Sequence, residues 1–312
     1  MEDWSGKTID ELKQYLSKLS DGYAMQSYGW GENEIFIRGS IISPNENVVD
    51  PSRFSYCPKH LVKTNNRANR AGDTLFYCCT NLRTMFNEVH PKPGDYLYIS
   101  YWWADRDMHV VPVGYSQEVI TKLGSTVDIQ TLFADSSFHE SQLKDYRTKL
   151  YFDEFTRLNI DNPETDYRFS IAIAEQHFAP ARLNPKEDNS KYQNVYLDSE
   201  GRPLKIMDAL MYPSIKSHGH NYAIRPEFVD SAMSLMRVDC FEVMPDEQLK
   251  FLKFSNVYGN KPLKWIETDA YKSWAINTPK GPIIILKHDR MFNSYDITNG
   301  FYVTDPSKVK PF

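Results

Sequence analysis

The chain has 312 residues, 41% of them hydrophobic, and a formal net charge of -5. That length suits one large domain or two small ones, with apolar residues enough for a sizeable core. The acidic balance argues against a general nucleic-acid binder, which carries a basic excess or stripe, and no apolar run approaches the length that spans a membrane.

The first residues, Met1-Glu2-Asp3-Trp4, are acidic and form no signal-peptide core. Cys57, Cys78, Cys79 and Cys240 lack metal-ligand spacing. They read as reduced thiols, so a cytoplasmic location is expected. Thr8 and Glu11 form a capping-box pattern, and Ile9, Leu12, Leu16 and Leu19 follow at helical spacing. An N-terminal helix ending near Asp21-Gly22 is therefore expected, within an extension over residues 1–30. Its apolar stripe packs on the domain or, alternatively, meets a partner.

Gly29–Glu34 reads as a polar turn and Glu34–Ile42 as a strand interrupted at Gly39. Arg38 lies inside that strand, where an arginine needs a partner or a ligand unless it faces the surface or a salt bridge. Ser43–Asn66, with Pro44, Pro51 and Pro58, reads as loop. Asn65–Glu88 then runs turn, strand, short helix. Arg67, Asn69, Arg70 and Gly72 sit in the turn. Leu75–Cys79 is a short β-prone run and reads as a buried strand. Thr80 or Asn81 can cap a helix that carries Met85, Phe86 and Glu88. This order brings two guanidinium groups, the Tyr77 hydroxyl and a carboxylate into one neighbourhood. Arginine presents a planar fork suited to phosphate oxygens, and a carboxylate can stabilise a developing sugar cation. The types suit a site for a phosphorylated sugar nucleotide. A polar surface loop with a solvated Glu88 is the plainer alternative.

Asp95–Trp103 is a strongly β-prone strand, and Met108–Gly114 reads as its antiparallel neighbour across a turn at Ala104–Asp107. Ser116–His177 reads as helical. An amphipathic helix over Phe138–Leu158 breaks at Asn159–Asp166, and a second over Tyr167–Phe178 stops before Pro180. Pro185–Arg202 reads as an exposed hairpin or loop. Within Met207–Pro226, Tyr212-Pro213-Ser214 places a serine at a strand end with its direction fixed by the proline, and Asn221 follows. That hydroxyl can meet a phosphate or ribose oxygen; a simple Pro-Ser turn is the alternative. No Gly-x-Ser-x-Gly elbow accompanies it. His218 and His220 have no third ligand placed by spacing, so no metal is expected. Phe251–Val257, Lys264–Glu267 and Pro282–Lys287 read as strands in a β-rich extension over 246–312 without site chemistry.

Two of these stretches together resemble the RES domain family, named for its arginine, glutamate and serine. Its first half reads roughly arginine, apolar residue, asparagine and glycine, then a strand ending in tyrosine, then a helix ending in Ala-x-x-Glu-Val. The corresponding residues are Arg67-Ala68-Asn69, Gly72, Leu75-Phe76-Tyr77 and Thr84-Met85-Phe86-Asn87-Glu88-Val89. Tyr212-Pro213-Ser214 with Asn221 resembles the serine motif, and Arg38 matches an early-strand arginine. Ala68 stands where the family has a larger apolar residue, and a helical insertion at about 116–200 lengthens the segment between Glu88 and Ser214.

The resemblance implies an α/β (α+β) fold over 31–245: a compact mixed sheet with flanking helices, similar to ADP-ribosyltransferases. It implies cleavage of NAD at the nicotinamide–ribose bond by phosphate or water. No cofactor is expected; NAD is the substrate and phosphate a possible co-substrate. Arg67, Glu88 and Ser214 are implied as catalytic, and Arg38, Tyr77, Asn69 and Asn221 as substrate-binding. Arg70 is a further candidate for an incoming phosphate. The implied setting is a toxin restrained by an antitoxin, with no direct contact to nucleic acid or membrane; a homo-oligomer stays open. A mono-ADP-ribosyltransferase acting on a macromolecule and a non-enzymatic nucleotide-binding module are the alternatives.

Overall fold

Near-continuous apolar runs along the central strands build a sheet buried on both faces, with helices laid on its outside. The structure, a computed structural model, describes residues 4, 6–19, 28–32, 34–115, 142–182, 195–197, 203–214, 217, 219–245, 248–257, 259, 261–267, 273–278, 281–286, 291–293 and 303–304. The first half of the chain forms α1 (Ile9–Leu19), β1 (Tyr28–Trp30), β2 (Ile35–Ile42), β3 (Phe76–Cys79), α2 (Leu82–Val89), β4 (Tyr96–Ala104) and β5 (Met108–Pro112). Three helices follow, α3 (Gln142–Phe155), α4 (Pro163–Asp166) and α5 (Arg168–Phe178), then β6 (Ala181–Arg182), β7 (Val195–Leu197) and β8 (Pro203–Lys205). The last part forms β9 (Ala209–Ser214), β10 (Gly219–Ile224), α6 (Pro226–Ala232), β11 (Met233–Val243), β12 (Gln248–Asn256) and β13 (Ile266–Glu267). Beyond these lie β14 (Ser273–Thr278), β15 (Gly281–Leu286), β16 (Met291–Asn293) and β17 (Val303–Thr304).

Among the described residues an 11-stranded mixed sheet runs in the order β1-β5-β9-β10-β3-β2-β4-β11-β12-β13, with β16 added to β12. The β5–β9 pairing is parallel. The sheet divides at its middle. β2 pairs with β4 from Ile35↔Trp103 to Ile42↔Tyr96, whereas β2 meets β3 only at Ile37↔Cys79. The two halves turn toward each other across this seam. Phe36, Tyr98 and Trp102 from one half and Phe76, Val110, Met211 and Tyr222 from the other share one buried cluster. Edge-on and stacked rings fix it, with Phe76 5.1 Å from Trp102 and Trp30 5.2 Å from Tyr222.

The outward faces are covered separately. α2 places Leu82, Met85 and Phe86 on Ile37, Ile99 and Phe241. α1 and α5 pack together, burying Ile9, Leu12 and Leu16 with Phe169 and Ile173 over the outer face of β5, β9 and β10. No helix among the described residues is long and apolar enough to cross a membrane. The start of α1 has the expected capping box: the Thr8 N–H donates to the Glu11 carboxylate at 2.8 Å and the Glu11 N–H to Thr8 Oγ1 at 3.3 Å. Its expected end at Asp21-Gly22 lies outside the described residues.

Three expectations are corrected. The strand through Arg38 is not interrupted at Gly39; β2 runs unbroken to Ile42. Glycine is needed there for the close approach of α2, because a Cβ would run into Met85 Sδ and Val89 Cγ2. The segments 95–103 and 108–114 do not form a hairpin. β4 pairs with β2 and β11, while β5 pairs with β1 and β9 in the opposite half. The connection crosses the open edge, where the Ala104 N–H donates to Glu34 O and the Asp105 N–H to Ala232 O. The expected turn at 29–34 begins instead with the end of β1. Residues 116–141 of the helical insertion and most of 183–202 lie outside the described residues, which include α3 to α5 and β7.

Candidate active site

A cavity of about 290 Å³ opens at the seam between β2 and β3, beneath α2. Arg38, Arg67, Tyr77, Glu88 and Asn221 all line it. They arrive from an early strand, a loop, the β3 strand, a helix and a late strand. Of the sequence-expected residues, Ser214 and Asn69 stand behind this wall.

Glu88 owes its place to α2. Asn81 caps the helix, its Oδ1 accepting from the Thr84 N–H at 2.7 Å. Gly39 lets the helix settle on β2, and Gly219 lets it settle on β10, where a Cβ would meet Thr84 Oγ1. The Thr84 hydroxyl bonds the Ser217 hydroxyl at 2.8 Å, fastening α2 to the β9–β10 loop. Glu88 Oε1 then accepts from Ser214 Oγ at 2.7 Å and from Asn221 Nδ2 at 2.9 Å. Oε2 makes no hydrogen bond among the described residues. Ser214 is only 2% exposed. Its hydroxyl proton is committed to Glu88, so the serine meets the carboxylate rather than the cavity.

The two arginines are held differently. Arg38 Nη1 donates to the Tyr77 main-chain oxygen at 2.8 Å, across the seam where β2 no longer pairs with β3. Its guanidinium carbon is 5.5 Å from the Phe76 ring. Its Nε is buried and meets no acceptor among the described residues. Burial lowers the guanidinium pKa from its ordinary value. Arg67 donates from Nη1 to Phe155 O at 2.7 Å and from Nη2 to Arg157 O at 3.1 Å, at the end of α3. Tyr167 lies under its guanidinium at 5.4 Å.

Tyr77 is fixed by both functions of its hydroxyl, which donates to Asn69 Oδ1 at 2.7 Å and accepts from the Ala68 N–H at 3.0 Å. Burial pushes its pKa well above the ordinary phenol range. Asn69 Nδ2 donates to the main-chain oxygens of Arg70 and Asp73. Its side chain is therefore spent on closing the turn and orienting Tyr77. Arg70 points elsewhere. It pairs with Glu175 and, at 2.7 Å, with Asp10, while Lys13 also reaches Glu175 at 2.7 Å. This network ties the turn to α1 and α5 and leaves Arg70 out of the cavity. Cys78 and Cys79 border the cavity, but burial raises both thiols, Cys79 to about 12, so neither is a ready thiolate.

Tyr167 and Tyr212 also line the cavity. In the sequence Tyr212 belongs to the serine motif with no role of its own, and Tyr167 marks only a helix start. The one local signal for Tyr167 is an aromatic residue at a helix break. Among the described residues no group of three or more His, Cys, Asp or Glu could hold a metal ion. The chemical content of the cavity is one carboxylate fixed through a single oxygen, two guanidinium groups and a wall of phenol rings.

Fold and site together define a mixed α/β protein with flanking helices and a carboxylate–arginine cavity at a split in its sheet. No family model matches the chain, and no curated protein does. Among solved structures it is similar to the crystal structure of the M. tuberculosis MbcT-MbcA toxin-antitoxin complex, at 10% identity and a TM-score of 0.30, over 74% of this chain and 92% of that one. At that TM-score the likeness bears on neither lineage nor activity.

Proposed function

We propose that this protein cleaves NAD at the nicotinamide–ribose bond. The observation that carries the reading is the Glu88 carboxylate, fixed by Ser214 and Asn221, in one cavity with Arg38 and Arg67. The pyridinium nitrogen of NAD already carries positive charge. When its bond to the ribose breaks, the electron pair returns to the ring and neutral nicotinamide leaves. The positive charge passes to the ribose, where Glu88 Oε2 stabilises it. Water or phosphate then adds to the anomeric carbon, giving ADP-ribose and a proton or ADP-ribose phosphate. Ser214 and Asn221 act on this step by holding the carboxylate.

Two guanidinium groups against one carboxylate give the cavity an excess of positive charge, which favours a dinucleotide carrying phosphates. The buried Arg38 Nε would gain an acceptor from a pyrophosphate oxygen. At about 290 Å³, the cavity sits at the small end of the ~300–1,000 Å³ range of ligand clefts. The nicotinamide riboside end fills it, and the adenosine end lies toward the mouth. By the motif resemblance, the cellular role is that of a toxin that depletes NAD and is restrained by an antitoxin.

Purified protein incubated with NAD, with and without phosphate, tests this by mass analysis. Released nicotinamide with ADP-ribose is the expected outcome, or ADP-ribose phosphate when phosphate is the nucleophile. NAD left intact at high protein concentration sinks the reading. Label transferred to a macromolecule would assign a transferase instead.

A further inference from the structure

We propose that Tyr167 is a positioning residue for Arg67, and that the end of α3 together with the α4–α5 junction forms a clamp that sets the affinity of the cavity for its anionic ligand. The inference concerns the ligand-binding half of the NAD site proposed above and rests on that reading. Arg67 comes from a turn that has no helix or strand of its own to fix its long side chain. Three contacts from residues 155–167 supply what the turn lacks. Two main-chain oxygens left open at the end of α3 take one N–H from each Nη. The Tyr167 ring covers the guanidinium at 5.4 Å.

Tyr167 is itself held firmly. It is at once the residue that closes α4 and the one that opens α5, with φ -91° and ψ -3°. Its N–H donates to Pro163 O, and its oxygen accepts from the Ile171 N–H and the Ser170 hydroxyl. The backbone that carries the ring is therefore anchored at the helix junction, and from there the ring reaches the Arg67 guanidinium. The same ring lines the cavity beside Arg67. The guanidinium N–H groups not taken by Phe155 and Arg157 are thus presented to the ligand in one fixed direction. Arg70 lies three residues further along the same turn, paired with Glu175 and Asp10 and outside the cavity. The clamp is what separates the fates of these two arginines.

The test compares the native protein, Tyr167→Phe and Tyr167→Leu by two readouts. The first is the rate at which phenylglyoxal labels Arg67, followed by peptide mass mapping against the surface Arg53. Native Arg67 should react more slowly than Arg53. Tyr167→Leu should speed labelling at Arg67 about tenfold and leave Arg53 unchanged, and Tyr167→Phe should keep the native rate. The second readout is NAD cleavage, where Tyr167→Leu should raise KM about tenfold with kcat little changed. Equal labelling of Arg67 in all three proteins overturns the clamp, as does an unchanged KM in a protein that cleaves NAD. If Tyr167→Leu fails to fold, native Arg67 labelled as fast as Arg53 overturns it as well. NAD untouched by the native protein, with labelling at Arg67 still governed by Tyr167, would reject the NAD reading and keep the clamp.

Discussion

At the scale of single residues, the site depends on one carboxylate whose neighbours are donors rather than charges. Glu88→Gln keeps the side-chain shape and removes the negative charge. It should lower NAD cleavage by about 100-fold or more while leaving the melting temperature near the parent value. Expression of the native protein should slow growth, and expression of that variant should not. A Glu88→Gln protein with parental turnover would show that the carboxylate has no part in the chemistry. Ser214→Ala removes one hydrogen bond to a charged group, worth about 1.5–3 kcal/mol. Its kcat should fall about tenfold or more with KM little moved, because the serine meets Glu88 and not the cavity. The residue types of this site were legible in the sequence; their pairings were not. Ser214 and Glu88 stand 126 positions apart, and nothing local says that the hydroxyl is spent on the carboxylate. Asn69 was legible as a turn residue, yet its hydrogen bonds to Tyr77 and the turn follow only from the folded loop. Tyr167 carried no motif at all.

At the scale of elements, α2 is the part most sensitive to spacing. Gly39→Ala puts a methyl group against Met85 and Val89, which should cost about 1–3 kcal/mol and tilt the helix that carries Glu88. Leu16→Ala opens a void under α1, where the side chain is fully buried, at a cost of about 2–5 kcal/mol. Urea unfolding and turnover measured together separate the two. Gly39→Ala should lose activity out of proportion to its stability, and Leu16→Ala should retain activity per folded molecule. Equal retention in both would show that α2 tolerates displacement. The capping box of α1, the strand before α2 and the helix stopped by Pro180 were readable because short-range chemistry decides them. The hairpin expected over residues 95–114 does not form because β-prone composition reveals a strand and not its neighbour. β4 and β5 are both rich in β-prone residues, yet they belong to opposite halves of the sheet. Gly39 is ambiguous in sequence because a glycine that admits a packed helix looks the same as one that bends a strand.

At the scale of the whole molecule, stability should fall as the solution turns mildly acidic. Burial and the neighbouring Arg147 depress the His177 pKa to about 4, below its ordinary value of 6.5. The unfolded chain therefore binds a proton that the folded chain refuses. The resulting loss begins as pH drops through 6.5 and is complete below about 4, on the order of 3 kcal/mol. Burial lowers His220 as well and adds in the same direction, while Glu34 and Glu154, raised by burial, oppose it. Thermal melting between pH 7 and 5 should show the slope, and His177→Gln should flatten it. An unchanged slope in that variant would remove His177 from the account. The sheet order carries a different consequence, one of timing. The donors that fix Glu88 sit on β9 and β10, and β10 is also the strand that pairs β3 along its length. A growing chain that has released α2 but not yet residues 209–224 has a glutamate with nothing to hold it. Pairings between distant segments form late, after their loops close. On the proposed reading, a ribosome-bound fragment shorter than this should cleave no NAD, and activity should begin only when synthesis has passed the second motif.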